Sequence, residues 1–428
     1  MQQAAHEQSD DLWLVLPHLG PGGAQKVALL AAGFFIAKGW RVRLVTMLPG
    51  PAQAHAIPEG LLLTDLAPAV DVRWKRHHWK GPWLLLGLRL PTPQGVVHVL
   101  HRFTARLVMG ALVGLLEPVQ PGQRHWRSGL LRWCVDGVDG PPSWELERLF
   151  QQKTPKRVVS FLSRTNMRIC SVLWLRDCHL VVSERNDIRK QVLPFPWPRF
   201  RRLLYRRADV LTANTTGVME SLLPLFEARQ LALLPNPLPM PEVPAAAGTA
   251  RDREGFVTVA RLVPQKGIDV LIRALGQTVG AARDWTLTVV GDGPEREALE
   301  FQAQQAGLKE QVQFLGFRSD PQTFLLQAGV FVLPSRFEGM PNALLEAMAA
   351  GLAVIVTDAS PGPLEVVEHG LSGLVVPSDD PSAMADALDR LAAAPALRER
   401  LGAAARDSLC QSDWPVVGPI WESLVIQR

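Results

Sequence analysis

The chain has 428 residues, which is too long for one ordinary hydrophobic core and suits two domains. Hydrophobic residues make up 47% and charged residues 20%, a composition that indicates a packed globular protein and excludes intrinsic disorder. The net charge is only +4, no run of about 18 uncharged apolar residues occurs, and Met1–Asp11 is polar, so neither a membrane span nor a secretory signal is expected.

Positive charge is concentrated in two segments that mix arginine with aromatic residues, Arg73–Trp83 and Pro196–Arg207. Aromatic rings at the headgroups and cations at the phosphates are typical of proteins on an anionic membrane surface. A solvated helix face with its tryptophans packed inward explains the same composition equally well. Nucleic acid is disfavoured because no recognition motif accompanies the charge. The expected location is the cytoplasm, with the protein soluble or peripheral at the inner face of the cell membrane.

The cysteines are scattered without the pairing that a metal site requires. Buried free thiols in a reducing compartment are therefore expected. The four positions are Cys134, Cys170, Cys178 and Cys410.

The first elements form a β-loop-α-β unit of the kind that opens a parallel sheet. A buried strand at Leu12–Leu16 is followed by a glycine-rich turn, a helix at about Ala24–Lys38 and a strand at Arg41–Thr46. The turn, Gly20–Gly23, does not match the dinucleotide fingerprint, and no acidic residue ends the second strand. Binding of NAD is therefore disfavoured.

The rest of the first half gives a discontinuous pattern. Residues 50–155 show no clear periodicity, whereas Arg157–Leu162, Leu180–Ser183 and Val210–Ala213 read as strands, the last followed by a helix through about Phe226. The proline- and alanine-rich residues near 241–254 predict a linker.

Alternation of strands and helices resumes in the second half, which predicts a parallel sheet covered on both faces. The predicted strands are Phe256–Ala260, Leu287–Val290, Val312–Leu315, Val330–Leu333, Ala353–Val356 and Leu374–Val376. The expected organisation is a first domain at 1–240, a linker at 241–254 and a second domain at 255–410. An amphipathic segment at 411–428 is expected to pack back on the first domain. The fold class is α/β with two doubly wound domains.

Ligands of doubly wound sheets bind beyond the carboxyl ends of the strands. The loop after Phe256–Ala260 carries Arg261 and Lys266, which bracket a helix start. Two cations beside a helix N-terminus favour a diphosphate, although solvated basic residues are an equally simple interpretation.

Two further strand ends carry glycine turns. Gly291 and Gly293 lie in a Gly-Asp-Gly-Pro turn, where glycine lets a ligand approach the backbone. Gly316 precedes Phe317, and exposed backbone at this turn is suited to contact a base edge. Ordinary tight turns account for both sequences as well.

The most informative loop runs from Pro334 to Gly351 and contains two glutamates. Glu338 precedes a helix start at Pro341, and Glu346 lies inside that helix among apolar neighbours, an unusual place for an idle carboxylate. The backbone N–H groups from Gly339 to Asn342 favour a phosphate, and the carboxylates can accept hydrogen bonds from sugar and ribose hydroxyls. The alternative roles are a helix-dipole partner for Glu338 and an exposed helix position for Glu346.

The order and spacing of these loops resemble the retaining GT-B glycosyltransferases of family 4, also called group 1. That family has an Arg-x-x-x-x-Lys-Gly loop, a Gly-Asp-Gly-Pro turn and two glutamates with seven residues between them, as Glu338 and Glu346 have here. Other matching segments are Gly22–Val27, Ser160–Asn166, Ser183–Asn186 and Pro235–Pro237. Gln25 differs from a frequent Glu, and Ser163–Thr165 stands where many relatives have a His.

The resemblance implies two Rossmann-like domains facing a central cleft, and a role for each matched residue. Arg261 and Lys266 would neutralise the donor diphosphate, Glu338 would contact the transferred sugar, and Glu346 would bind the ribose hydroxyls. The remaining donor-binding positions are Gly22, Gly23, Asn236, Gly291, Gly293, Phe317, Gly339, Met340, Pro341 and Asn342.

The implied activity is retaining transfer of a hexose or N-acetylhexosamine from a nucleoside diphosphate sugar, UDP being expected. The acceptor is a glycan or a polyprenyl-diphosphate-linked glycan of surface polysaccharide assembly, and the Ser183–Asn186 segment resembles the lipid-linked subset. No metal and no cofactor beyond the donor co-substrate is implied. A UDP-sugar epimerase of the same architecture and a non-catalytic scaffold at the membrane are the alternatives.

Overall fold

A computed structural model describes residues 11–77, 100, 103–105, 121–122, 126–193, 197–238 and 253–426. Within these ranges the chain folds into two compact units, each built on one β-sheet whose paired strands are all parallel. Most of the predicted linker and residues 78–83 of the first basic segment lie outside the described residues.

The first unit contains a sheet of seven strands in the order β3-β2-β1-β4-β5-β6-β7. Its strands are β1 (Leu12–Leu16), β2 (Val42–Thr46), β3 (Leu62–Asp65), β4 (Arg157–Phe161), β5 (His179–Glu184), β6 (Val210–Ala213) and β7 (Leu231–Leu233). Its helices are α1 (Gly23–Ala37), α2 (Ala67–His77), α3 (Trp126–Asp139), α4 (Pro141–Gln152), α5 (Ser163–Val172) and α6 (Trp197–Leu204). Helix α7 (Thr216–Leu222) connects β6 to the segment before β7.

The second unit contains a sheet of six strands in the order β10-β9-β8-β11-β12-β13. Its strands are β8 (Phe256–Val259), β9 (Leu287–Val290), β10 (Val312–Gly316), β11 (Val330–Leu333), β12 (Ala353–Thr357) and β13 (Leu374–Val376). Its helices are α8 (Ile268–Leu275), α9 (Arg296–Gln305), α10 (Pro321–Gln327), α11 (Asn342–Ala349), α12 (Pro361–Leu364), α13 (Pro381–Ala393) and α14 (Pro395–Asp407). The last helix of the chain is α15 (Trp414–Ile426).

The two faces of the second sheet pack into separate apolar clusters, as the period-two alternation of side chains along a strand requires. One cluster takes Phe256, Val289, Val332 and Ile355, and the other takes Val257, Val290, Phe331 and Val354. Helices therefore cover both faces, and ligand-binding groups are confined to the sheet edges.

The units are not continuous in sequence. The first comprises Met1–Ala213, Ser221–Leu234 and Ile420–Arg428, and the second comprises Asn214–Glu220 and Pro235–Pro419. The predicted boundaries near 240 and 410 differ from this division, because two short segments belong to the opposite unit from their neighbours in the chain.

The end of the chain packs within the first unit. The ring of Trp421 lies 6.4 Å from that of Phe161, and His179 Nε2 lies 2.8 Å from the Leu424 carbonyl oxygen. Lys38 and Glu422 form an ion pair at 2.6 Å. Among the described residues, no helix is both long enough and apolar enough to cross a membrane.

Candidate active site

The strand order of the second unit reverses between β8 and β11, where the loops after these neighbouring strands leave the sheet. In doubly wound sheets this switch point is where the carboxyl edge opens into a crevice. The loop after β8 is Arg261–Gly267, and the loop after β11 is Pro334–Pro341. The fold therefore brings the two most informative loops of the sequence side by side.

The central contact of the site joins these two loops. Lys266 Nζ donates to Glu338 Oε1 at 2.5 Å, and the side chains of the pair are 15% and 7% exposed. The ammonium and the carboxylate stabilise each other in this buried position, because burying either charge alone would cost free energy.

Two serines complete the hold on Glu338. Ser335 Oγ donates to Glu338 Oε1 at 2.7 Å, and the Glu338 backbone N–H donates to Ser360 Oγ at 2.9 Å. Ser335 is fixed in turn by its carbonyl, which accepts from the Thr357 hydroxyl at 2.5 Å. Three strand-end loops, after β8, β11 and β12, therefore meet at Glu338, the first two at its carboxylate and the third at its backbone.

Arg336 also holds the loop Arg261–Gly267, which carries Lys266 and is called the lysine loop below. Its guanidinium donates to the Pro264 carbonyl at 2.5 Å and to Asp269 at 2.7 and 2.9 Å, and it also contacts Asp379 at 2.8 Å. The backbone adds a bond of 2.8 Å from the Arg336 N–H to the Gln265 carbonyl. Lys266 is therefore placed by contacts on the residues before it as well as by its own ion pair.

The charge of Asp269 is stabilised by this arginine. Burial alone would raise the pKa of Asp269, but the hydrogen bonds and positive charge of Arg336 outweigh burial and lower it. The hydrogen bond to Asp269 correspondingly raises the pKa of Arg336 above its ordinary value. The pair is fully charged at neutral pH.

Helix α11 begins at the same place. Its N-cap is Pro341, whose φ of −76° and ψ of 117° are extended, so the helix starts one residue later than the sequence predicts. Asn236 donates to the Met340 carbonyl at 3.1 Å and to Asn342 Oδ1 at 2.6 Å. Asn236 is only 3% exposed, so it supports the loop before α11 from beneath through these two hydrogen bonds.

The glycines after β9 have a different physical reason from the one that the sequence suggests. A Cβ on Gly291 would overlap the Ala260 carbonyl oxygen, and a Cβ on Gly293 would overlap that of Leu262. Gly291 also has φ of 139°, in the region that favours glycine. The space that a Cβ would need is occupied by backbone atoms of Ala260 and Leu262, at the start of the lysine loop. These glycines therefore allow two backbones to approach each other.

The other predicted residues of the second unit lie around this centre. Arg261 is exposed at the start of the lysine loop, and Glu346 is half-buried on α11. Phe317 follows β10 and is 43% exposed, so its ring is available to solvent at the carboxyl edge. Gly339 is buried, and its carbonyl packs closely against Gly362.

Gly22 and Gly23 belong to the first unit, where they begin α1 after the carboxyl end of the interior strand β1. Gly22 is the N-cap residue, and its carbonyl lies 3.3 Å from His55 Nε2. Gln25, at the position where the family often has Glu, is only 4% exposed.

The Ser183–Asn186 segment contains the end of strand β5, and the side chain of its glutamate, Glu184, is buried. Glu184 is 1% exposed and accepts from Ser163 Oγ at 2.9 Å, from Gln191 at 3.3 Å and from the Tyr205 hydroxyl. Burial and the Glu184 charge raise the pKa of Tyr205 well above its ordinary value, so this phenol stays a donor. Glu184 therefore supports its loop from within.

Sequence reasoning missed Ser335, Ser360 and Arg336. The rule that ligands gather at strand ends applies equally to the loop after β12, where Ser360 lies, and it would have drawn attention to that loop. No local pattern indicates that Arg336 pairs with Asp269, because the two residues are joined only by the packing of two loops.

Residues 240–408 match the family model described as glycosyl transferases group 1. An exopolysaccharide phosphotransferase of Streptomyces coelicolor is 33% identical over 216 residues, which are 50% of this chain and 22% of that protein. The lipopolysaccharide core biosynthesis glycosyltransferase LpsE of Rhizobium meliloti is 31% identical over 209 residues, 48% of this chain and 60% of that protein. The aligned segments thus span less than two thirds of the length of either relative.

The solved structure of HepE from Anabaena in complex with UDP and glucose has a TM-score of 0.68 and 17% identity to this chain. The likeness covers 97% of this chain and 99% of that one, and it confirms the expected GT-B fold of two Rossmann-like domains. The family match covers Arg261, Lys266, Glu338 and Glu346 together. Residues 240–408 are therefore similar to the group 1 glycosyl transferases.

Proposed function

We propose that the protein is a retaining glycosyltransferase that moves a hexose or N-acetylhexosamine from a nucleoside diphosphate sugar, with UDP as the nucleotide. The family match of residues 240–408 supports the reaction class. The HepE structure, which carries UDP and glucose, supports the choice of nucleotide.

One observation carries the proposal: Lys266 and Glu338 lie 2.5 Å apart at the switch point, where α11 begins. A diphosphate there meets the Lys266 ammonium, the Arg261 guanidinium from the same loop and the positive end of a helix. A sugar attached to that diphosphate lies beside the Glu338 carboxylate, which accepts hydrogen bonds from its hydroxyls. The site thus offers cations for the leaving group and an anion for the transferred group.

The proposed chemistry is mainly electrostatic. The bond between the anomeric carbon and the diphosphate oxygen breaks, the nucleotide leaves with the electron pair, and the acceptor oxygen bonds to the same face of the sugar. The departing phosphate oxygen takes the proton of the acceptor hydroxyl. Lys266 and Arg261 stabilise the charge that develops on the diphosphate, the largest contribution in many transferase sites.

The other donor contacts follow from the same placement. Gly339, Met340, Pro341 and Asn342 lie along the sugar and phosphates, and Glu346 binds the ribose. Gly291, Gly293 and Phe317 border the nucleotide, while Asn236 supports the loop beneath it. Gly22 and Gly23 of the first unit approach the donor phosphate and the acceptor. The cations and the helix end take the place of a metal ion, and no cofactor is used.

The proposed acceptor is a glycan or a polyprenyl-diphosphate-linked glycan in polysaccharide assembly. Two similar proteins, an exopolysaccharide phosphotransferase and a lipopolysaccharide core biosynthesis glycosyltransferase, support this acceptor class. We further propose that the protein works in the cytoplasm, peripheral at the inner face of the membrane, without nucleic acid as a partner.

The proposal is tested with purified protein, a panel of UDP- and GDP-sugars and a glycan acceptor. Lys266→Ala and Arg261→Ala are expected to lower kcat/KM by about 10²-fold or more, the scale of a lost electrostatic donor. The matched control is Lys309→Ala, an exposed lysine on the loop before β10, which should leave turnover unchanged.

The alternatives give different results in the same assays. Conversion of a UDP-sugar to its epimer without any acceptor would replace the transferase by an epimerase. Absence of UDP and UDP-sugar binding in calorimetry would favour a non-catalytic scaffold. Near-normal kinetics of folded Lys266→Ala would refute the role given to the ion pair.

A further inference from the structure

The second unit includes one short segment from the first half of the chain, Asn214–Glu220, which is called the inserted segment below. It contains the loop after β6 and most of α7, and the residues immediately before and after it belong to the first unit. Within the second unit, the inserted segment contacts helix α12 and Asn236. Both of these also contact the loop that carries Glu338.

Glu365 holds the inserted segment on α12. It directly follows this helix, and its Oε1 accepts from the Thr216 backbone N–H at 2.7 Å, from the Thr216 hydroxyl at 2.5 Å and from the Gly217 N–H at 3.3 Å. An ionised carboxylate accepts such bonds more strongly than a neutral group does. Three donors on two consecutive residues therefore fix the start of α7 against α12.

Two glycines allow close packing at the same place. A Cβ on Gly217 would lie 2.6 Å from Pro361 Cβ, too close for ordinary contact, so glycine lets α7 approach α12. A Cβ on Gly362 would overlap the Gly339 carbonyl oxygen and would lie 3.3 Å from Thr215 Cγ2. Gly362 of α12 therefore lies between the inserted segment and the loop after β11.

The loop after β11 is held near both of its ends by the partners of the inserted segment. The Glu338 N–H donates at 2.9 Å to the hydroxyl of Ser360, the N-cap residue of α12. Asn236 donates to the Met340 carbonyl at 3.1 Å, and Asn236 Oδ1 accepts from Asn214 Nδ2 at 3.5 Å. The inserted segment is therefore connected to Glu338 through α12 and to Met340 through Asn236.

We propose that the inserted segment positions residues 338–342 of the candidate site, and that Glu365 is the positioning residue that holds the segment in place. A loop that is held near both ends opens less often than a loop that is held at one end. The effect on the loop is independent of any ligand. The effect on donor binding rests on the proposed function, because only that function brings a diphosphate to these residues.

Hydrogen exchange of the full-length protein without ligand tests the effect on the loop. Glu365→Ala is expected to speed exchange of the amides of residues 338–340 by roughly threefold to tenfold, the scale of one lost hydrogen bond. The matched control is Asp389→Ala, because Asp389 also accepts from three backbone N–H groups, all within residues 279–282. Those residues precede β9 and lie at the opposite edge of the parallel sheet, so exchange at 338–340 should stay as in wild type.

Two further variants separate the contact from general stability. Glu365→Gln keeps a neutral acceptor oxygen and should restore most of the protection that Glu365→Ala loses. Gly217→Ala should reproduce that loss because its Cβ moves α7 away from Pro361, whereas Gly129→Ala on α3 has open space and should not. Unchanged exchange at 338–340 in both Glu365→Ala and Gly217→Ala would refute the proposal, as would an equal increase throughout the second unit.

Calorimetry with UDP measures the consequence for the donor site. Glu365→Ala should raise the Kd for UDP roughly threefold to tenfold, since binding must then also order the loop, and Asp389→Ala should leave it unchanged. A wild-type Kd in Glu365→Ala would refute the positioning role. If wild type itself binds no UDP, the proposed function fails, and the exchange data alone then decide whether the segment positions the loop.

Discussion

Glu338 lies at the centre of the candidate site, and its neighbours fix its position. Lys266, Ser335 and Ser360 hold its side chain and backbone from three different loops. Catalytic groups that are already oriented require no rearrangement as charge develops in the transition state. The sequence places Lys266 and Glu338 in loops after strands of one parallel sheet, and the observed pairing of β8 with β11 brings the two loops together. It does not predict the two serines, whose role depends on how three loops pack.

Substitution of Arg336 tests whether this residue positions the loop that carries Lys266. Arg336→Gln is expected to raise the KM for the proposed donor several-fold more than it lowers kcat, because it loosens Pro264–Lys266 without removing a charge that is proposed to contact the diphosphate. The control is Arg189→Gln in the first unit, which breaks an ion pair of similar length to Asp187 at 2.7 Å. A change in kcat alone would contradict a positioning role.

The same variant has a pH dependence whose sign follows from Asp269. The pKa of Asp269 is lowered in the folded protein, so its pairing with Arg336 adds stability above the unfolded pKa of about 4. That contribution is lost as pH falls through the folded pKa. The difference in the free energy of unfolding between wild type and Arg336→Gln should therefore be constant near neutrality and shrink below about pH 4. Its size is about 1 kcal/mol or less for a partly exposed pair, and thermal unfolding over a pH series measures it.

At the scale of elements, apolar runs predict the strands well. Each predicted strand is present with its ends within one residue, from Leu12–Leu16 to Leu374–Val376. Strand β3 escapes prediction because its side chains alternate between half-buried and exposed at the edge of the sheet. Helix α7 ends at Leu222 and not near Phe226, since Pro224 disfavours helical backbone at the residue before it.

Helix α5 escapes prediction for another reason. Its buried residues include Asn166 and Arg168, which interrupt the apolar periodicity that identifies a helix. Asn166 donates to the Ser183 carbonyl at 2.9 Å, so the polar group is satisfied by a neighbouring strand that the local sequence does not reveal.

The glycine turn after β9 supplies the element-scale prediction. Gly291→Ala is expected to destabilise the protein by more than about 2 kcal/mol, because the new Cβ overlaps the Ala260 carbonyl and the backbone is strained as well. Gly307→Ala is the control, since Gly307 also has positive φ (73°) but open space around its Cβ position. Urea denaturation that gives equal losses for both variants would rule out the steric reason.

For the whole molecule, the division into units places the last residues of the chain in the first unit. Trp421 is 0% exposed and stacks near Phe161, so its removal leaves a large cavity. Trp421→Ala is expected to lower the free energy of unfolding by about 3–5 kcal/mol. The control is Trp133→Ala, whose side chain is 39% exposed, and calorimetry should show a much smaller change in Tm. If Trp421→Ala lowered Tm as little as Trp133→Ala, the end of the chain would contribute little to stability.

Three of the four cysteines lie among the described side chains, and all three are buried and free, as the sequence predicts. Burial raises the pKa of Cys134 to about 12 and that of Cys178 to about 11. These thiols are therefore protonated at physiological pH, and a nucleophilic role is excluded for them.

The interleaved path of the chain limits how the protein can be divided by genetic means. A cut in the segment between Leu238 and Arg253 leaves an amino-terminal fragment without Ile420–Arg428 and a carboxyl-terminal fragment without Asn214–Glu220. Neither unit is encoded by one uninterrupted coding segment, so exchanging the second unit between related proteins requires the terminal helix to be matched to the recipient's amino-terminal half.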